Sequence, residues 1–206
     1  MNRRRFLLSL LLLAACGRAP KRVPLPAGSV VLAFGDSVTH GTGAAPGEDW
    51  PSRLAELTGW RVVNAGIPGD TAEAATGRIS ALLVAHRPAL VLVEIGGNDF
   101  LRRRPQAAVK EDVRRILAAV RSGGAQAVLV AVPELSLLGA MTRRPSDAPL
   151  YAELGKEEKV PVIADVFADI LARPELCADQ IHPNAAGYRA MTAGFAAALK
   201  KIGLLR

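Results

Sequence analysis

Five short β-rich apolar runs, at 30–34, 61–64, 90–95, 127–132 and 160–164, recur along the chain, separated by stretches whose apolar residues fall at helical spacing. Strands that are near-continuously apolar are buried on both faces, and parallel neighbours need a crossover, so this alternation predicts a parallel sheet covered by helices. The helical stretches are 50–58, 71–85, 106–122 and 185–200. Asp70 with Glu73 offers a capping box for the second, and Gly123-Gly124 a stop for the third. The expected fold class is α/β: a three-layer α/β/α sandwich around a mostly parallel five-stranded sheet. At 206 residues, half of them hydrophobic, the chain can bury one sizeable core; it shows no repeats and no second domain, and it reads as a monomer.

Open sheets of this kind gather their ligands beyond the carboxyl ends of the strands, and three polar segments follow strand candidates there. FGDSVTHG, 34–41, places Ser37 in a glycine-bounded turn after the first run. NAGIPGD, 64–70, brings Gly66 after the second, where a backbone N–H can approach a ligand with no side chain in the way. EIGGNDF, 94–100, delivers Asn98 after the third, with an amide able to donate to a developing negative charge. Far downstream, Asp179 precedes His182 by three residues, so the acid can orient the imidazole. Nucleophile, base and orienter are then all present. Singly, each segment also has an ordinary reading: a helix cap at Ser37, a tight turn at Gly66, an Asn-Asp turn at Asn98, a loop carboxylate beside a surface histidine.

Other chemistries fit less well. The α/β-hydrolase elbow G-x-S-x-G lacks its second glycine here, and Asp179 stands too close to His182 for that arrangement. Gly41-Thr42-Gly43 lacks the third glycine and the lysine of a phosphate loop. His40, His86 and His182 fall at no ligand spacing, so no metal and no cofactor is expected.

In their order along the chain, GDSVTHG, NAGIPGDT, GGND and DQIHPNAAGY resemble the four blocks of the SGNH hydrolases, also called GDSL esterases and lipases, over nearly all of 29–199. The likeness is greatest to the single-domain thioesterase, lysophospholipase and arylesterase branch, and weakest over 133–149. The resemblance implies a flavodoxin-like SGNH fold across 29–206. It implies Ser37 as nucleophile, His182 as base and Asp179 as the residue orienting it. The oxyanion donors would be the Ser37 N–H, the Gly66 N–H and the Asn98 side chain. Gln180 stands where many relatives carry glycine, and is expected to face away from the site.

The first residues bear on location. Residues 1–6 are basic, 7–15 form an apolar run too short to span a membrane, and Leu13-Ala14-Ala15-Cys16 resembles a lipobox. A lipoprotein signal peptide over 1–15, lipidation of Cys16 and a proline-rich tether over 16–28 follow. The protein is then expected on the periplasmic side of a bacterial envelope, membrane-bound through its lipid; the arginine-rich start fits either the general secretory or the twin-arginine route. The same segment accounts for the charge. Of the formal +7, six positives fall in the first 22 residues with no acid among them, leaving a body near +1; with 4% aromatic residues, nucleic acid is not an expected partner. Arg102-Arg103-Arg104 is the one local basic run, read as a solvated loop or a contact for lipid phosphates. The expected substrate is a small-molecule ester or a lipid: aryl or short-chain acyl esters, with lysophospholipid favoured by an anchor that would place the site near lipid. O-acetyl-glycan deacetylation is one alternative, and a non-catalytic envelope lipoprotein binding glycan or lipid is another.

Overall fold

The computed structural model describes residues 24–134 and 145–206. Within them five parallel strands form one sheet in the order β2-β1-β3-β4-β5, comprising β1 (Val30–Gly35), β2 (Arg61–Gly66), β3 (Leu90–Glu94), β4 (Gln126–Val130) and β5 (Val162–Ile163). Residues 31–34 of β1 and 90–93 of β3 are fully buried, as central strands covered on both faces must be, whereas β2 at the edge is partly exposed. The chain first lays β2 on one side of β1, then crosses back to lay β3 on the other. Connections leaving the carboxyl ends of β1 and β3 therefore diverge, opening a crevice between them.

Helices flank the sheet as an α/β/α sandwich. One group is α2 (Trp50–Thr58), α8 (Val166–Leu171) and α9 (Ala185–Lys201), with α9 packed on both of the others. The second is α3 (Ala72–Thr76), α4 (Ile79–His86), α6 (Gln106–Ser122) and α7 (Pro149–Glu157), gathered around α6. Short helices α1 (Ser37–His40) and α5 (Gly97–Leu101) follow directly on β1 and β3.

The expected helix over 71–85 is broken in two. Gly77 ends α3, and Arg78 turns inward: its guanidinium pairs with Asp70 at 2.7 Å, donates to Ala65 O and Gly35 O, and lies 4.2 Å over the Phe34 ring. Tying the ends of β1 and β2 outweighs one more helical turn at a glycine, which itself costs about 1 kcal/mol relative to alanine. Asp70 is thereby withdrawn from the expected capping box, and Thr71 caps α3 instead by accepting from the Ala74 N–H.

The proposed signal segment and Cys16 lie outside the described residues, as does 135–144 within the weakly matching stretch. The end of the expected tether belongs to the body: the Leu25 N–H donates to Leu204 O, Trp60 Nε1 to Leu25 O, and the Gly28 N–H to Gly59 O. These contacts lie at the edge where β1 begins, opposite the edge that carries Ser37. No helix among the described residues is long and apolar enough to cross a membrane.

Candidate active site

Ser37 opens α1 two residues beyond the end of β1, because the intervening Asp36 caps that helix by accepting the Val38 N–H at 3.0 Å. As the first helical residue, Ser37 has an N–H without an intrahelical acceptor, and no partner elsewhere in the described protein takes it. Asn98 lies in the first turn of α5 across the crevice, and donates to Asp70 O at 3.0 Å and to Asp36 Oδ2 at 3.3 Å. Gly96, at a φ of +129°, turns the chain out of β3; a side chain there would strike the Tyr151 hydroxyl, which donates to Ile95 O.

His182 arrives from the far end of the chain on a narrow loop closed by the pairing of Cys177 with Pro183. Nearly every residue of that block has a physical task. Asn184 caps α9 by accepting the Gly187 N–H, a Cβ on Gly187 would stand 2.1 Å from Leu176 O, and Tyr188 donates to Thr42 O at 2.7 Å, pinning α9 to the loop after Ser37. Within the loop, Asp179 Oδ1 accepts the N–H groups of Ile181 and His182, both at 2.8 Å, which aims Oδ2 at His182 Nδ1, 2.7 Å away. His182 Nε2 then lies 2.9 Å from Ser37 Oγ. Partial burial pushes the Asp179 carboxyl up, but the bonds from the His182 ring and the two N–H groups outweigh it and hold the group below its usual range. An ionised Asp179 holds the proton on Nδ1 and leaves Nε2 free to accept one from the serine. Ser37, Asp179, His182 and Asn98 are thus brought together from three loops.

Gly66 is not left as a donor. It is glycine because α1 crosses it, a Cβ there standing 2.2 Å from the His40 N, and its N–H is taken by Asn64 Oδ1 at 3.0 Å. Three residues on, Gly69 sits at a φ of +81° at the tip of the turn closed by the Asp70 N–H on Ile67 O, and its N–H has no partner in the described protein. Its carbonyl is held by Arg102 at 3.1 Å. Asn64 two residues before Gly66 was the legible signal, since a short amide side chain readily bonds the backbone two positions on.

Gln180, expected to face away, lines the cavity over Ser37. This cavity measures about 1350 Å³, with Asp36, Asn98 and His182 at its floor and Phe100, Leu101, Val132, Phe167 and Leu171 along its walls. The basic run beside it divides. Arg103 lines the cavity, but Arg104 is no solvated residue: it pairs with buried Asp99 at 2.5 Å and buried Asp112 at 2.9 Å. Asp99 also accepts the Ala72 N–H, so α5 is braced against α3. Sequence reasoning missed Asp36 as a site residue. Burial pushes its carboxyl up to about 6, partly opposed by the Val38 N–H and by His182. Among the described residues no cluster of three His, Cys, Asp or Glu side chains could hold a metal ion.

A model of the GDSL-like Lipase/Acylhydrolase family matches residues 33–190. The chain is 34% identical over 165 residues to the Thioesterase 1/protease 1/lysophospholipase L1 of Escherichia coli (strain K12), covering 77% of each. It is 28% identical over 162 residues to an arylesterase of Vibrio mimicus, covering 75% of this chain and 80% of that one. Among solved structures, the psychrotrophic esterase EstA from Pseudoalteromonas sp. shares the fold at a TM-score of 0.74 and 23% identity, over 84% of this chain and 97% of that one.

Proposed function

The chain belongs to the GDSL-like lipase/acylhydrolase family and is a carboxylic-ester hydrolase, and from that premise we propose that it cleaves acyl esters by two-step transfer through Ser37. His182 takes the Ser37 proton as Oγ attacks the ester carbonyl, and returns it to the leaving alcohol; Asp179 holds the imidazole in the tautomer that can do so. Water then attacks the acyl-serine by the same route and releases the acid. The observation that carries this reading is the unbroken line from Asp179 Oδ2 through the imidazole to Ser37 Oγ, with contacts of 2.7 and 2.9 Å. For the oxyanion, the Ser37 N–H and the Asn98 amide are the proposed donors, with Gly69 in place of Gly66. The 3.3 Å bond from Asn98 to Asp36 is long enough for a developing oxyanion to replace it.

Apolar walls and room for an acyl chain support acyl esters of medium length and lysophospholipid as substrates, and the E. coli relative is named as a lysophospholipase. Hydrolysis of p-nitrophenyl esters from acetate to palmitate tests this. Activity is expected to rise beyond acetate, and Asn98→Ala is expected to lower kcat by about 10²–10³-fold. A profile confined to acetate would point to a deacetylase instead, and full activity in Asn98→Ala would remove that residue from the mechanism. Export and lipidation at Cys16 rest on the basic start, the short apolar run and Leu13-Ala14-Ala15-Cys16. Labelled palmitate should enter the wild-type protein in cells and not Cys16→Ser; equal labelling of both would end the anchor reading.

A further inference from the structure

A second polar contact joins the serine turn to the asparagine turn, beneath the bond between Asp36 and Asn98. Glu94 ends β3 and stands opposite Gly35 of β1 in register. Its side chain is fully buried and borders the floor of the cavity. Oε2 accepts the hydroxyl of Thr39, itself buried in α1 two residues after Ser37, at 2.7 Å. Oε1 has no partner among the described residues. Space for this pair is made by Gly35, where a Cβ would stand 2.2 Å from Thr39 Oγ1 and 2.9 Å from Glu94 Oε2.

We propose that Glu94 is a positioning residue for ester hydrolysis: through the Thr39 hydroxyl it fixes the turn bearing Ser37 against the turn bearing Asn98, and so sets the gap between nucleophile and oxyanion donor. The proposal rests on the roles given above to Ser37 and Asn98. A single contact between two turns is a pivot. The upper bond, from Asn98 to Asp36, is 3.3 Å and must yield during reaction, whereas the lower one is short and buried. With both in place α1 cannot rock on the end of β3, and errors of about 1 Å in such placement cost on the order of 10²-fold in rate. Burial, and then the adjacent Asp36 carboxylate, push the Glu94 carboxyl well above its usual range. What the geometry uses is the hydrogen bond that Oε2 accepts from Thr39. Glutamine can supply the same bond.

The experiment compares p-nitrophenyl butyrate hydrolysis by the purified full-length protein with that of Glu94→Ala, Thr39→Val and Glu94→Gln, each checked for folding by circular dichroism melting. Glu94→Ala and Thr39→Val are expected to lose about 10- to 100-fold in kcat with KM within about threefold. Glu94→Gln should restore most of that loss, and the Glu94→Ala/Thr39→Val double variant should be no slower than Glu94→Ala, because both changes sever one link. Should Glu94→Ala fail to fold, Thr39→Val, which keeps side-chain volume, carries the test. The proposal is overturned if the two single variants keep wild-type kcat, if their loss lies in KM alone, or if Glu94→Gln is as slow as Glu94→Ala. An inactive wild type would instead strike the reading of Ser37 and Asn98 beneath it, and the proposal with it.

Discussion

Ser37→Ala is expected to lower kcat by about 10⁴-fold or more with folding unchanged, leaving only the rate that oxyanion donors and binding supply to attack by water. The serine is half-buried and, among the described residues, its hydroxyl makes one hydrogen bond, to His182 Nε2, so removing Oγ leaves no costly unpaired group. The loss should therefore be one of chemistry, with the melting temperature near that of the wild type. His182→Ala should fall to the same floor, and the double variant no further, because the two groups act as a unit. Hydrolysis of a p-nitrophenyl ester, with labelling by a fluorophosphonate as a second readout, measures this. A Ser37→Ala protein that still labels and turns over would place the nucleophile elsewhere.

Asp179→Asn is expected to cost about 10³–10⁴-fold in kcat, and more than Asp179→Ala. An asparagine can still accept the N–H groups of Ile181 and His182 at the Oδ1 position, so the loop should keep its shape. Its amide nitrogen would then face Nδ1 and donate to it, which moves the ring proton to Nε2 and leaves no acceptor for Ser37. Alanine removes the aim of the ring but imposes no wrong tautomer. Because the Asp179 side chain is 55% exposed, water can stand in and accept from Nδ1. The order Asn below Ala, read from kcat at one pH where the wild type is fully active, is the check; the reverse order would mean that loop geometry and not the tautomer is what Asp179 provides.

How much of this was legible depended on whether a residue's partners were local. Strand positions, the order of polar segments along one edge and the pairing of Asp179 with His182 follow from apolar runs and a three-residue spacing. Strand β5, anticipated over 160–164, shrinks to Val162–Ile163, where it pairs with Leu129 and Val130 of β4. Helix α1 escaped notice because four residues carry no periodicity. The break at Gly77-Arg78 could not be read locally either, since Arg78 answers to carbonyls at Gly35 and Ala65, which only the fold brings near. Gly66 misled for a similar reason. Glycine there serves the passage of α1, a tertiary demand, and not the approach of a ligand. Glu94 fell inside the apolar run 90–95 with no local partner to mark it, and Thr39 lies 55 positions away.

The chain enters its body at Leu25, bonded to Leu204 beyond the end of α9, whereas the other end of that helix, at Asn184, stands beside the site. Seventeen helical residues separate the two by roughly 25 Å. Fully stretched, the nine residues from Cys16 to Leu25 reach about 30 Å at most. Were Cys16 to carry the proposed lipid, its tether would outreach the body, and the mouth could turn toward the bilayer or away from it. On that reading the anchor would set how far the site roams and not which way it faces, so that membrane-borne and soluble esters alike would come within its reach.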